Sequence, residues 1–100
     1  MIRFHKQASL EMEVSIRFYE TQKRGLGLRF MMAVEAASER IKEHPGAGTP
    51  LKSKDGPLRR YLLGDFPFGI IYEAEKQDVL VWAVMHLSRK PDYWAKRMRS

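Results

Sequence analysis

The chain has 100 residues, 44% of them hydrophobic, and no cysteine. That length suits one domain over residues 1–100 with a single small core. It leaves no room for disulfides or thiolate metal sites, in keeping with a reducing compartment. Lys and Arg number 18 against 12 Asp and Glu, for a formal net charge of +6. A positive surface attracts polyanions over a screened range of about 8–10 Å at cellular salt, so nucleic acid or an acidic protein is the expected partner. No apolar run approaches the roughly 20 residues that a membrane-spanning helix needs. The first residues, Met-Ile-Arg-Phe-His-Lys, lack the apolar core of a signal peptide. A cytoplasmic protein is expected.

Ile2 and Phe4 alternate with Arg3 and His5, a short strand pattern. The period then changes. Ala8, Met12, Ser15, Ile16 and Tyr19 fall on one face of a helix, with charged positions between them. A second apolar stripe, Leu10, Val14 and Phe18, runs along a different side at i, i+4 and i+8. Such a helix is either embedded or keeps one stripe for a partner. Gly25-Leu26-Gly27 separates it from a second helix, in which Leu26, Phe30, Val34, Ala37 and Ile41 repeat at helical spacing. His44-Pro45-Gly46 ends that helix. Together they read as a helical hairpin.

Pro45 to Pro57, rich in proline and glycine, reads as an irregular loop carrying Lys52 and Lys54. Leu58 to Leu63 reads as a strand, with Leu58, Arg60 and Leu62 on one face and Arg59 and Tyr61 on the other. After a turn at Asp65-Phe66-Pro67, Phe68, Ile70, Tyr72 and Ala74 share one face of the next strand, and Gly69, Ile71 and Glu73 the other. Glu75 to Asp78 makes a polar hairpin turn. Val79 to Leu87 is apolar on both faces, as a central strand should be. Pro91 suits the start of a short terminal helix, and the basic tail from Ala95 is expected to fray. The order β-α-α-β-β-β, with that terminal helix, predicts an α+β two-layer fold. The helical hairpin packs on a mostly antiparallel four-stranded sheet.

Several segments, in this order and spacing, resemble the RelE/ParE superfamily of toxins from type II toxin–antitoxin systems. They are Ala8-Ser-Leu-Glu-Met with Phe18-Tyr-Glu, Gly25-Leu-Gly-Leu-Arg-Phe, Ile41-Lys-Glu-His-Pro-Gly, Arg60-Tyr-Leu-Leu, Phe66-Pro-Phe-Gly-Ile-Ile-Tyr, and Met85-His-Leu-Ser-Arg-Lys-Pro-Asp-Tyr-Trp94. The resemblance implies a toxin neutralised by an acidic antitoxin. RelE-like members cleave mRNA on the ribosome; ParE-like members inhibit DNA gyrase. This chain has Gly69 where the RelE pattern carries an arginine, and Trp94, with Tyr93 one residue off, where it places a tyrosine. It looks closer to the ParE side.

RNA transesterification needs a base, an acid and cations around the phosphorane. His86, Arg59, Arg60 and Arg89 are the residue types for it, should the chain be a nuclease. Each also has a structural reading: His86 bonded to backbone, Arg60 in an internal ion pair with a helix glutamate, Trp94 closing the core edge. For a binding toxin, Arg89, Lys90, Tyr93, Trp94, Lys52 and Lys54 are the expected target-contacting residues. Leu10, Val14 and Phe18 are the expected antitoxin surface, able to receive an amphipathic helix from an acidic partner. His5, His44 and His86 show no metal-ligand spacing, and neither metal nor cofactor is expected. A ParE-like toxin acting on gyrase is the leading reading. The alternatives are a ribosome-dependent, metal-independent endoribonuclease and a non-toxic basic nucleic-acid-binding module.

Overall fold

A computed structural model describes residues 1–54 and 56–99. The helices sit where the 3.6-residue period places them: α1 over Lys6–Gln22 and α2 over Leu26–Glu43. The His5 ring caps α1, its Nδ1 accepting from the Gln7 N–H at 3.1 Å. The turn between the helices needs two glycines for different reasons. Gly25 has φ of +88°, a left-handed conformation that favours glycine. Gly27 is a close approach: a Cβ there would lie 2.5 Å from the Ile16 carbonyl oxygen. The Glu20 carboxylate locks the turn by accepting from Gly25 N–H at 3.0 Å and Gly27 N–H at 3.0 Å, donors that the first turn of a helix leaves over.

The sheet has five strands, β1 (Ile2–Phe4), β2 (Thr49–Pro50), β3 (Leu58–Leu62), β4 (Phe68–Glu75) and β5 (Asp78–His86), in the spatial order β1-β5-β4-β3-β2. Among the described residues, only β1 against β5 is parallel. The expected count of four therefore falls short by one. Within the proline-rich loop, a 3-10 turn at Pro45–Ala47 is followed by the two-residue β2, which pairs with Arg59 and Arg60. Pro50 is tolerated there because β2 is an edge strand. Tyr72 ties this segment down from the core. Its hydroxyl donates to the Pro45 carbonyl at 2.7 Å and accepts from Gly48 N–H at 2.8 Å.

Both sheet faces are apolar, and each has its own cover. The front face carries Phe68, Ile70, Tyr72, Val79, Val81 and Val84. It packs on Ala8, Met12, Ile16 and Tyr19 of α1 and Phe30, Val34, Ala37 and Ile41 of α2. Tyr19, Phe30, Phe66 and Phe68 form an aromatic group with ring centroids 4.8–6.2 Å apart, favourable edge-to-face spacing. The back face carries Leu58, Ile71, Ala83 and Met85 and is covered by Trp94. The expected fraying of the tail is thus corrected. Residues Tyr93–Arg99 form a 3-10 segment laid across the back of the sheet. No helix among the described residues is long and apolar enough to cross a membrane.

Candidate functional site

The C-terminal segment is fixed by one carboxylate. Strand β1 reaches only Val81 of β5, where the His5 N–H donates to the Val81 carbonyl at 2.8 Å. Beyond that point, side chains replace a strand along the β5 edge. Glu11 of α1 accepts from the Val84 N–H at 3.1 Å, and Arg97 donates to the Trp82 carbonyl at 2.8 Å. The two side chains also join each other, with Arg97 guanidinium nitrogens 2.9 and 2.8 Å from the two Glu11 oxygens. The Tyr93 hydroxyl donates to the same carboxylate. Glu11 and Arg97 are only 14% and 13% exposed, so this fork-to-fork pair lies largely out of water. The Tyr93 pKa is raised, first by burial and then by its hydrogen bond to Glu11. The Arg97 pKa is raised chiefly by the same carboxylate.

Arg89 stands outside this cluster. Its guanidinium lies over the Tyr93 ring, 3.7 Å from the centroid, and 3.5 Å from a Glu11 oxygen that is already engaged. Its side chain keeps 52% exposure. A cleft of about 360 Å³ beside it is lined by Lys90, Asp92, Tyr93, Ala95 and Lys96. A second, of about 440 Å³, lies between the Leu51–Lys54 stretch and Pro91–Ala95. The two clefts share Asp92 and Ala95. Lys52, Lys54, Lys90, Arg89 and Tyr93 are therefore brought to one end of the molecule. The arrangement offers exposed cations around a half-buried aromatic ring, suited to an acidic or phosphate-bearing surface.

Trp94, at 4% exposure, belongs to the second core, which supports its reading as a core residue. It also lines the second cleft.

The residue types of a nuclease are dispersed. His86 pairs across the sheet with Phe68 of the front core, ring centroids 5.0 Å apart. Its Nδ1 accepts from the Ser88 N–H at 3.0 Å, which leaves Nε2 as the other ring position. Arg59 braces the loop by donating to the Gly48 carbonyl at 2.8 Å. Arg60 lies on the opposite face, sharing it with Leu58, and runs over Gly69, where a Cβ would sit 3.0 Å from Arg60 Cγ. The helix glutamate expected to pair with Arg60 is not there, because both helices cover the other face. Arg60 Nε is buried without a hydrogen-bond partner. Thus Gly69, which departs from the RelE pattern, makes room for the stem of Arg60. Arg60, with Ile71 as its cross-strand partner, thus lies on the sheet face opposite to the one that His86 shares with Phe68. Among the described residues, no group of three His, Asp or Glu gathers that would hold a metal ion.

The stripe on α1 is surface. Leu10, Val14 and Phe18 are 43, 62 and 56% exposed, although the opposite side of the same helix is core. The embedded alternative is removed.

Sequence reasoning missed Glu11 and Arg97. Glu11 sits among helix charges that look solvated, and Arg97 in a tail that looks free. One signal was present: Val79 to Leu87 is apolar on both faces, and two helices can cover only one.

The chain folds as a small basic two-layer α+β domain with an exposed apolar helix stripe and exposed lysines and an arginine beside Tyr93. Residues 2–91 match the family described as the ParE toxin of type II toxin-antitoxin system, parDE. The chain belongs to that family. Among solved structures, it is similar to one titled "Chromosomal ParDE TA system from P. aeruginosa", with a TM-score of 0.64 at 15% identity, over 87% of this chain and 95% of that one. That likeness is one of fold. No curated protein matches the sequence. The family match ends before Tyr93, so the segment pinned by Glu11 lies outside it.

Proposed function

We propose that this ParE-family protein is the toxin half of a two-protein system, inhibits DNA gyrase by binding it, and is neutralised by an acidic antitoxin. The observation that carries the reading is the family match over residues 2–91. Two features of the surface support it. The cationic end at Lys52, Lys54, Arg89 and Lys90, with Tyr93, is a coherent binding surface, whereas the residues wanted for RNA cleavage are scattered over both sheet faces. The stripe Leu10-Val14-Phe18 is an exposed apolar line of helical spacing on a chain of net charge +6. That combination suits an acidic segment which folds into an amphipathic helix on docking.

The toxin acts by occupying its target, and the antitoxin acts by occupying the toxin. Arg89 and Lys90 supply charge for encounter, which governs association rate more than final affinity. Induced expression in a bacterial host tests the reading. Growth arrest with relaxed plasmid DNA and intact mRNA is expected, and co-expression of the adjoining acidic reading frame restores growth. Arrest with mRNA cut at the ribosome and normally supercoiled plasmid would overturn it.

A further inference from the structure

Arg89 occupies a position between the two proposed surfaces. Glu11, the carboxylate it approaches, follows Leu10 directly on α1 and lies one helical turn before Val14. Glu11 and Val14, three apart, are neighbours on the helix surface, so the guanidinium of Arg89 is held 3.5 Å from a side chain that flanks the Leu10-Val14-Phe18 stripe, while it also belongs to the cationic end. Its hold on Glu11 is the weakest of that residue's contacts. The carboxylate already accepts from Val84, Tyr93 and both terminal nitrogens of Arg97, and Arg89 stands off at 3.5 Å. An arginine has five donors in a fixed fork. Here that fork is half-exposed and meets a carboxylate that is already fully used, so donors remain for an external acceptor.

We propose that Arg89 is the charged edge of the antitoxin's docking stripe, and that the antitoxin disarms the protein there. An antitoxin helix seats its apolar face on Leu10, Val14 and Phe18, and a carboxylate on its flank takes the guanidinium of Arg89. That contact removes from the target-binding end the cation stacked over Tyr93. One side chain is thereby claimed by two partners, and the two cannot bind together. The proposal rests on the toxin reading above, and it adds where and by what chemistry neutralisation occurs. Charge complementarity singles out the occupant: the apolar stripe is bordered by a cation with spare donors, so its complement is an amphipathic helix with an acidic flank.

The test uses the full chain and the antitoxin, taken as the product of the adjoining reading frame that restores growth. Dissociation constants are measured at two salt concentrations. Arg89→Ala is expected to weaken binding about tenfold at low salt, the lower end of coupling for close charge pairs across an interface, and less at high salt. Arg89→Lys falls between the two. Arg3→Ala, on the exposed edge strand β1, is the control and leaves affinity within about twofold. Reversing both charges, with Arg89→Glu here and a single acidic residue to lysine in the antitoxin, restores affinity. Unchanged melting temperatures show that each variant is folded. If Val14→Asp abolishes binding while Arg89→Ala changes it less than twofold, the inference fails and the toxin reading stands. If Val14→Asp also leaves binding intact, the stripe is not the antitoxin surface and the inference fails while the toxin reading stands; if no adjoining frame restores growth, both fail.

Discussion

Replacing Glu11 with alanine removes four hydrogen bonds and two ion pairs, with Arg97 and Arg89, from one largely buried point. The Val84 N–H loses its acceptor, as does the Tyr93 hydroxyl. Arg97, 13% exposed, keeps its bond to the Trp82 carbonyl but loses its fork-to-fork pairing with the Glu11 carboxylate. Breaking a buried pair by deleting one partner costs about 3–5 kcal/mol, and a stranded backbone donor about 1–3 kcal/mol. These overlap, because relaxation and entering water relieve both, so the sum is not the expectation. A loss of about 3–5 kcal/mol is expected, a large share of the roughly 5–15 kcal/mol that holds a domain together. Urea denaturation followed by tryptophan fluorescence measures it. Glu13→Ala is the comparison: it lies on the same helix and pairs with Arg17 at 3.9 Å on an exposed surface, so it should cost no more than about 0.5 kcal/mol. Glu11→Gln keeps an acceptor for Val84 and should fall between. Hydrogen exchange should show residues 93–97 losing protection first in Glu11→Ala. Equal midpoints for Glu11→Ala and Glu13→Ala would show that Glu11 does not hold the C-terminal segment in place.

Three further outcomes follow from named contacts. Gly27→Ala places a Cβ 2.5 Å from the Ile16 carbonyl oxygen and should lower thermal stability by about 1–3 kcal/mol, read from the melting curve, unless the helices part. Trp94→Ala empties the second core and should cost about 3–5 kcal/mol in chemical denaturation, whereas an exposed stacking tryptophan would cost little. Alkaline stability reports on Tyr93 and Tyr19, whose pKa values are both raised, with burial the leading cause. The folded chain holds protons that the unfolded chain releases from about pH 10, so their contribution is complete below about pH 10 and falls as pH rises above it. Tyr93→Phe should make that fall shallower in a series of denaturation midpoints, leaving the part due to Tyr19.

The elements that obeyed a simple period were legible in the residues. Ala8, Met12, Ile16 and Tyr19 mark the buried side of α1, and Phe68, Ile70 and Tyr72 the front of β4, because each follows one repeat. The hairpin turn was visible as a polar break, and it is made at Lys76 and Gln77, with Lys76 at φ of +55°. What escaped was long-range and aperiodic. Strand β2 has only two residues, one a proline, and exists because β3 offers an edge and Tyr72 holds the loop beside it. Register also slips where Trp82 is the extra residue opposite the Ile71–Tyr72 step, a bulge that alternation alone does not announce. Glu11 and Arg97 are 86 positions apart, and nothing local in either segment marks them as partners. Of the residues expected to contact a target, Lys52, Lys54, Arg89 and Lys90 read from the residues as loop and strand-exit charges, and they are exposed. Trp94 carried two readings, core cover and target contact, because an aromatic after a proline turn can serve as either; its burial agrees with the first.

Gyrase inhibition is tested with purified protein added to purified DNA gyrase and relaxed plasmid. Supercoiling should stop at toxin concentrations comparable to gyrase, Arg89→Ala with Lys90→Ala should weaken the effect without unfolding the chain, and prior addition of the antitoxin should abolish it. Undiminished supercoiling at a large excess of folded protein, with translating mRNA cleaved in parallel, would contradict gyrase inhibition.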